Sequence, residues 1–166
     1  MLYLKKLSPN DSKEIYEILQ EIDSNENGFQ NKVKGMSYTA YETWIKNEYE
    51  ADNGKLKGWM VPQSTFWLYD ELIPVGYGRL RHFLNDNLRE TSGHIGYAIA
   101  KSKRGNGYGN KILELLIDEG IKLGIIQLQI GANENNELSN KVIKHNCGIL
   151  FRTNNGKNFY YIDIAK

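Results

Sequence analysis

The chain has 166 residues, with 21 Lys and Arg against 20 Asp and Glu, 40% hydrophobic and 25% charged residues. This is an ordinary globular composition, which predicts one domain over residues 1–166 and gives no global field that would recruit nucleic acid or an anionic membrane. The single cysteine, Cys147, cannot form an internal disulfide, the start lacks an apolar signal core, and no apolar run nears ~20 residues, so a cytoplasmic protein is expected.

In chain order, Ser8-Pro9-Asn10-Asp11 has the form of a helix start, with Ser8 as N-cap, Pro9 at the first helical position and Asp11 as a capping-box acid. Ile15, Ile18, Leu19 and Ile22 then recur at i, i+3, i+4 and i+7, one face of an amphipathic helix. A looser segment from about residue 23 to 37 precedes a second helix predicted for Tyr38 to Tyr49. From Ser64 the period changes: Phe66 to Tyr69 and Val75 to Arg81 read as strands around an Asp70-Glu71 turn, followed by a strand over His94 to Ala100.

Ile112, Leu113, Leu116 and Ile117 mark a longer helix with Gly120 and Gly124 near its end. A strand over Ile125 to Ile130, a helix over Asn135 to His145, and strands at Ile149 to Arg152 and Phe159 to Ile164 complete the chain. The turn Asn154-Asn155-Gly156 separates the last two. This order describes an α+β, mixed α/β layer fold.

The stretch with the clearest chemistry is Arg104-Gly105-Asn106-Gly107-Tyr108-Gly109, between the third strand and the long helix. Glycines let the backbone approach a phosphate, and a helix N-terminus offers unpaired N–H groups and the positive end of a dipole. Lys101, Lys103, Arg104 and Lys111 surround the loop. A P-loop would end Gly-Lys-Ser/Thr, and a dinucleotide fingerprint would need its third glycine where Asn110 stands, so both patterns fail. A kinase or dinucleotide enzyme is disfavoured accordingly. The bland alternative is a glycine-rich turn that holds no ligand.

Arg104-x-x-Gly107-x-Gly109 resembles the Arg/Gln-x-x-Gly-x-Gly/Ala pyrophosphate loop of the GCN5-related N-acetyltransferase (GNAT) superfamily. Trp67 to Arg81 is similar to that family's hairpin, and Gly93 to Gly124 to its strand-loop-helix core. Asn133-x-x-Asn136-x-x-Ser139 resembles its later cofactor-side motif, and Val142 to Gly148 the end of one bacterial subgroup of predicted acetyltransferases. The likeness covers about 100 residues, Thr65 to Ile164, in the family's order.

The resemblance implies a single-domain fold with a mostly antiparallel twisted sheet flanked by helices and acyl-CoA bound at a splayed strand pair. It implies acetyl-CoA as co-substrate without a metal, and a small-molecule or peptide amine as acceptor. Gly105, Asn106, Gly107, Tyr108 and Gly109 would bind the pyrophosphate, with Arg104 shaping the loop. Tyr97, Ala98 and Ile99 would pair with the pantetheine arm, as an added strand does. Asn136 and Ser139 would contact the cofactor, although both also suit a helix cap.

A protonated alkyl amine must lose a proton before attack, so a general base is expected. His94 is the first candidate and Glu90 the second, the alternative for His94 being a hydrogen-bonded structural histidine. The family's thiolate-protonating tyrosine falls at Ile143, which cannot donate a proton. Tyr97, Tyr108, Tyr160 and Tyr161 are the substitutes, and a catalytically silent acyl-CoA-binding domain is the competing function. Many relatives dimerise, so a homodimer is a further expectation.

Two clues to the acceptor oppose each other. The acidic Glu14, Glu17, Glu21, Asp23 and Glu26 would favour a cationic amine if they flank the pocket, or simply form a solvated face. Arg79, Arg81 and His82 would instead bind a carboxylate. His82, His94 and His145 have no metal-ligand spacing, and Cys147 reads as a small buried residue without nucleophilic character.

Overall fold

A computed structural model describes residues 1–26 and 29–165. Its elements are β1 (Leu2–Lys6), α1 (Lys13–Gln20), β2 (Asn25–Glu26), β3 (Phe29–Gln30), α2 (Tyr38–Asp52), β4 (Gln63–Asp70), β5 (Ile73–Arg81) and α3 (Asp86–Thr91). They continue with β6 (Ile95–Ile99), α4 (Tyr108–Lys122), β7 (Gln127–Asn133), α5 (Glu137–His145), β8 (Ile149–Asn154) and β9 (Lys157–Asp163). The expected strands and helices are present with ends shifted by a few residues. Residues 27 and 28, inside the looser segment expected at 23 to 37, lie outside the described residues.

Four elements were not expected: β1, α3 and the short strands β2 and β3, which pair antiparallel as a hairpin. β1 pairs antiparallel with β4, from Leu2↔Asp70 to Lys6↔Phe66. Short α3 is capped by Asn85, whose side chain accepts from the Leu88 N–H at 2.9 Å.

The first helix begins later than the Ser8-Pro9 signature suggests. Asp11 does reach back to the Ser8 N–H at 2.8 Å, but only to close a turn. Its buried carboxylate also accepts from Trp67 Nε1 at 2.6 Å and Lys5 Nζ at 2.8 Å. Those long-range contacts turn Asp11 inward, and the helix starts after Ser12.

The sheet order is β1-β4-β5-β6, with a second sheet β7-β9-β8 and the small hairpin β2-β3, and every named ladder is antiparallel. This is a mixed α/β fold of antiparallel sheets flanked by helices. On one face of the larger sheet, Ile112, Leu113 and Leu116 of α4 pack against Phe66, Leu80 and Tyr97. On the other, α1 and α2 place Ile15, Leu19, Tyr41 and Ile45 against Trp67, Tyr77 and Ala98. β4, β5 and β6 are therefore covered on both faces, which explains their near-continuous apolar character. Among the described residues no helix is long and apolar enough to cross a membrane.

The two sheets meet at one bridge, Gly93↔Ile130. The His94 N–H donates to Gln129 O at 2.7 Å and the Gly131 N–H to Ser92 O at 3.2 Å. Gly93 has φ +93°, and a Cβ there would lie 2.4 Å from Gln129 O, so only glycine permits this approach. Beyond the bridge no ladder joins β6 to β7.

Candidate functional site

The opening between β6 and β7 exposes a strand edge of definite phase. In the β5–β6 ladder, Arg81 N–H donates to His94 O and Ala100 N–H to Val75 O. Antiparallel pairing alternates, so Gly96 and Ala98 direct their backbone groups to β5, joined there by the His94 carbonyl and the Ala100 N–H, and Ile95, Tyr97 and Ile99 direct theirs to the open edge. Arg104 Nε donates to Ile99 O at 3.1 Å from that open side. The strand thus offers Tyr97 as a free pairing position, whereas the backbone of Ala98 is engaged with Tyr77.

The edge leads into a cleft of about 300 Å³ lined by Tyr97, Ala98, Ile99, Lys103 to Gly105, Gly107 to Asn110, and Asn136, Ser139 and Val142, whereas Asn106 does not line it and its side chain donates to Lys103 O at 2.9 Å. The loop expected to hold a pyrophosphate therefore does border a cavity shared with the strand and with α5. Gly107 is the N-cap of α4 in a left-handed conformation, φ +76°, and provides no side-chain cap. The first-turn N–H groups of α4 consequently stay open toward the cleft.

Charge around this loop is arranged by the acidic residues of the first forty. Glu26 pairs with Arg104, Asp23 with both Lys101 and Lys34 at 2.8 Å, and Glu21 accepts from the Ser102 N–H at 2.8 Å. Lys101 and Lys34 together hold the Asp23 carboxyl down at about 2. Glu21, Asp23 and Glu26 thus fasten α1 and the hairpin to the glycine loop, whereas Glu14 and Glu17 stay on the exposed face of α1. Lys111 pairs with Glu114 at 2.9 Å. Lys103, which lines the cleft, has no ion pair among the described residues.

Asn136 and Ser139 combine the two roles sequence allowed. Asn136 caps α5, its side chain accepting from the Ser139 N–H at 3.1 Å, and both residues line the cleft. The Tyr97 hydroxyl is buried beside Ser139 and has no hydrogen-bond partner of good geometry among the described residues. Burial pushes its pKa up to about 12, with Ser139 opposing the rise, so it is a neutral donor at pH 7.

The other tyrosines named as substitutes are engaged elsewhere. Tyr108 donates to Asp70 at 2.8 Å, Tyr160 to Asn140 at 2.6 Å, and Tyr161 stacks on Phe151. Ile143, at the family's tyrosine position, is buried in the core.

His94 and Glu90 border neither this cleft nor the larger one described below. His94 Nδ1 accepts from the Gln129 backbone N–H at 2.9 Å, which places the remaining ring proton on Nε2. Burial, with Arg89 and Arg81 nearby, lowers its pKa to about 4. No lone pair is left for an amine proton, so the geometry matches the structural histidine. Glu90 sits on α3, 58% exposed, and accepts two bonds from Arg152 at 2.8 and 2.9 Å.

A second, larger cleft of about 670 Å³ lies on the α2 face of the larger sheet. Arg79 and Arg81 of β5 and Gln63 of β4 form its floor, and Glu48 and Trp44 of α2 one wall. Arg79 Nη2 donates to Glu48 Oε2 at 2.7 Å, and Arg81 Nη1 to Gly93 O at 3.0 Å. His82 points to the opposite face, where Nε2 meets Ser64 Oγ at 2.8 Å. Of the three basic residues on the returning strand, two therefore reach the cleft.

The clefts adjoin across one strand and one hairpin. Arg79 is in register with Gly96, next to Tyr97. Asn25 and Gln30 line the larger cleft while Glu26 lines the smaller. Glu48 was not singled out from the sequence, yet it had a signal. Tyr41, Ile45, Glu48 and Asp52 continue one helical stripe whose apolar members are core, so carboxylates on that stripe face inward. Cys147 corrects another expectation, being exposed rather than buried. Among the described residues no metal-ligand cluster occurs.

The profile of the acetyltransferase (GNAT) domain matches residues 1–147. No match exists among curated protein sequences. Solved structures are similar over nearly the whole chain. The N-acetyltransferase PseH of Campylobacter jejuni, in complex with acetyl coenzyme A, has a TM-score of 0.62 at 13% identity, with 98% of this chain and 99% of that one covered. YncA of Salmonella typhimurium, a putative acetyltransferase with acetyl-CoA, has a TM-score of 0.63 at 14% identity over 98% and 93%. RimL, a ribosomal L7/L12 alpha-N-protein acetyltransferase in complex with coenzyme A, has a TM-score of 0.73 at 15% identity over 98% and 94%. At these identities the structural likeness is one of fold.

Proposed function

Because the chain belongs to the GNAT acetyltransferase family, whose members use acetyl-CoA as co-substrate, we propose that it moves the acetyl group of acetyl-CoA to a primary amine held in the larger cleft. The observation that carries this is the unpaired β6 edge opening beside an uncapped glycine loop. A pantetheine arm needs a strand edge to pair with, and a pyrophosphate needs open N–H groups. Both are offered by one cavity.

In this proposal the open N–H groups from Gly105 to Gly109 take the pyrophosphate, with Lys103 as the unpaired cation beside them. Arg104, fastened to Ile99 O and Glu26, shapes the loop rather than contacting phosphate. Tyr97 and Ile99 pair with the pantetheine arm, and the strand's N–H groups polarise the thioester carbonyl, on which charge develops during attack. Asn136 and Ser139 border the arm from the opposite wall.

The amine nitrogen attacks the carbonyl carbon, the C–N bond forms and the C–S bond breaks. Glu48, the largely buried carboxylate of the larger cleft, takes the amine's proton directly or through water, in the place expected of His94. The Tyr97 hydroxyl gives a proton to the departing thiolate. Its lack of another partner supports that role, since a catalytic donor must be free to reach its acceptor. No step involves a metal.

The test is thiol release from acetyl-CoA against a panel of amines, with a thermal-shift measurement of cofactor binding alongside. Stabilisation with turnover is the expected result. Absence of stabilisation at millimolar acetyl-CoA overturns the proposal, and stabilisation without turnover on any amine class favours a silent acyl-CoA-binding domain.

A further inference from the structure

The larger cleft is a cationic cavity whose guanidinium groups are under-used. Six Lys and Arg side chains line it against two glutamates, and one of those, Glu50, pairs with Lys55 at 3.0 Å. Arg79 and Arg81 stand two residues apart on one strand face, roughly 7 Å between Cα atoms. Glu48 answers Arg79 through a single nitrogen. Arg79 Nε is buried and has no partner among the described residues. Among the described residues Arg81 has only a carbonyl oxygen as hydrogen-bond partner and no carboxylate in an ion pair.

Such an arrangement is costly without an anion. A buried donor left unpaired destabilises the fold, and two guanidinium groups near one another repel. Burial first, and Arg79 second, lower the Arg81 pKa to about 10. A third carboxylate close by, Asp52, is already engaged by the Thr65 N–H at 2.7 Å and Thr65 Oγ1 at 3.2 Å. The protein thus holds two adjacent positive groups on a cavity floor and supplies one acid for both.

We propose that the acceptor amine carries an anionic group, carboxylate or phosphate, bound by the free donors of Arg79 and Arg81 on the floor of the larger cleft. This rests on the acetyltransferase reading. Planar guanidinium forks match both oxyanions, and two forks side by side match a group with several acceptor oxygens. A volume of about 670 Å³ suits a small molecule of this kind. Glu48, held by Arg79, then lies where a zwitterionic acceptor would present its ammonium end. Of the acidic residues that would have favoured a polycationic acceptor, Glu21, Asp23 and Glu26 face the glycine loop instead.

The experiment compares matched acceptors in the thiol-release assay. Amino acids are set against their amides, and an amino-sugar phosphate against the free amino sugar. Arg81→Gln and Arg79→Gln are compared with the unaltered protein. The anionic member of one pair is expected to be preferred, and whichever pair shows it identifies carboxylate or phosphate. In Arg81→Gln, loss of one charge-assisted contact should raise KM for that acceptor about 10- to 100-fold, with kcat within about 2-fold, whereas Arg79→Gln also releases Glu48 and should raise KM and lower kcat together. Acetyl-CoA stabilisation in the same variants reports that they fold.

A binding readout covers the case of an acceptor outside the panel. Inorganic phosphate is titrated into protein saturated with CoA, so that the glycine loop is filled, and Trp44 and Trp59 fluorescence is followed. Saturable quenching lost in Arg81→Gln supports the inference. Equal use of charged and neutral partners, or no quenching in the CoA-loaded protein, overturns it. Failure of CoA itself to bind would instead overturn the acetyltransferase reading, so the two outcomes are distinct.

Discussion

The His94 imidazole accepts a hydrogen bond from the Gln129 backbone N–H through Nδ1 at 2.9 Å, at the one point where the two sheets are joined. The bond requires the neutral ring, and the histidine is held at a folded pKa near 4, below its ordinary 6.5. Between those values the unfolded chain binds a proton that the folded one refuses. The associated stability is therefore complete above about pH 6.5 and is lost as the pH falls toward 4.

Denaturant midpoints measured from pH 7 to 4 should fall across that window, and His94→Gln should flatten the slope. The pH–rate profile of acetyl transfer should show no inflection that disappears in His94→Gln. An inflection near 6.5 lost in the variant would restore His94 as the base.

Gly93 sits one residue earlier, and its replacement tests the same junction from the backbone side. Gly93→Ala forces a left-handed φ on a residue with a Cβ and drives that atom against Gln129 O. A loss of about 3 kcal/mol or more is expected, from strain and from disruption of the bridge. Urea unfolding would measure it, and a loss under 1 kcal/mol would show that β6 and β7 can part without cost.

Tyr97→Phe removes a hydroxyl that has no well-aligned partner among the described residues, only Ser139 beside it, so stability should change by under about 1 kcal/mol. If that hydroxyl protonates the thiolate, kcat should fall about 100-fold while the dissociation constant for acetyl-CoA stays within about 2-fold. An unchanged kcat would mean that the thiolate leaves without a dedicated acid.

Cys147 follows α5 with φ +66°, a conformation that favours glycine. Its N–H donates to Lys144 O at 3.1 Å and the next N–H, of Gly148, to Ile143 O at 2.9 Å, closing the helix end. Cys147→Gly should stabilise the fold by about 1 kcal/mol, visible as a rise in Tm. A fall would mean that the thiol makes a contact worth more than the strain.

The order of strands and helices, the glycine loop and its place at the start of α4 were legible in the sequence, because each rests on local pattern: periodicity, turn residues and caps. The loop motif also carried the family. What sequence could not decide depends on phase and partners. Asp11 looked like a capping acid and became a buried acceptor for Trp67, because a residue 56 positions away arrives beside it.

His94 looked like a base because it lies on the strand that leads to the site. Only the approach of Gln129 shows that its lone pair is taken. Glu21, Asp23 and Glu26 suited either an acceptor surface or a solvated face until the fold set them against Ser102, Lys101 and Arg104. The sequence by itself determined the elements and the cofactor loop, since helix starts and glycine turns are encoded by neighbours along the chain. The tertiary structure alone decided which charged groups remain unpaired, Arg79 Nε and Arg81 among them, since compensation of a buried charge depends on what the rest of the fold brings within hydrogen-bond reach.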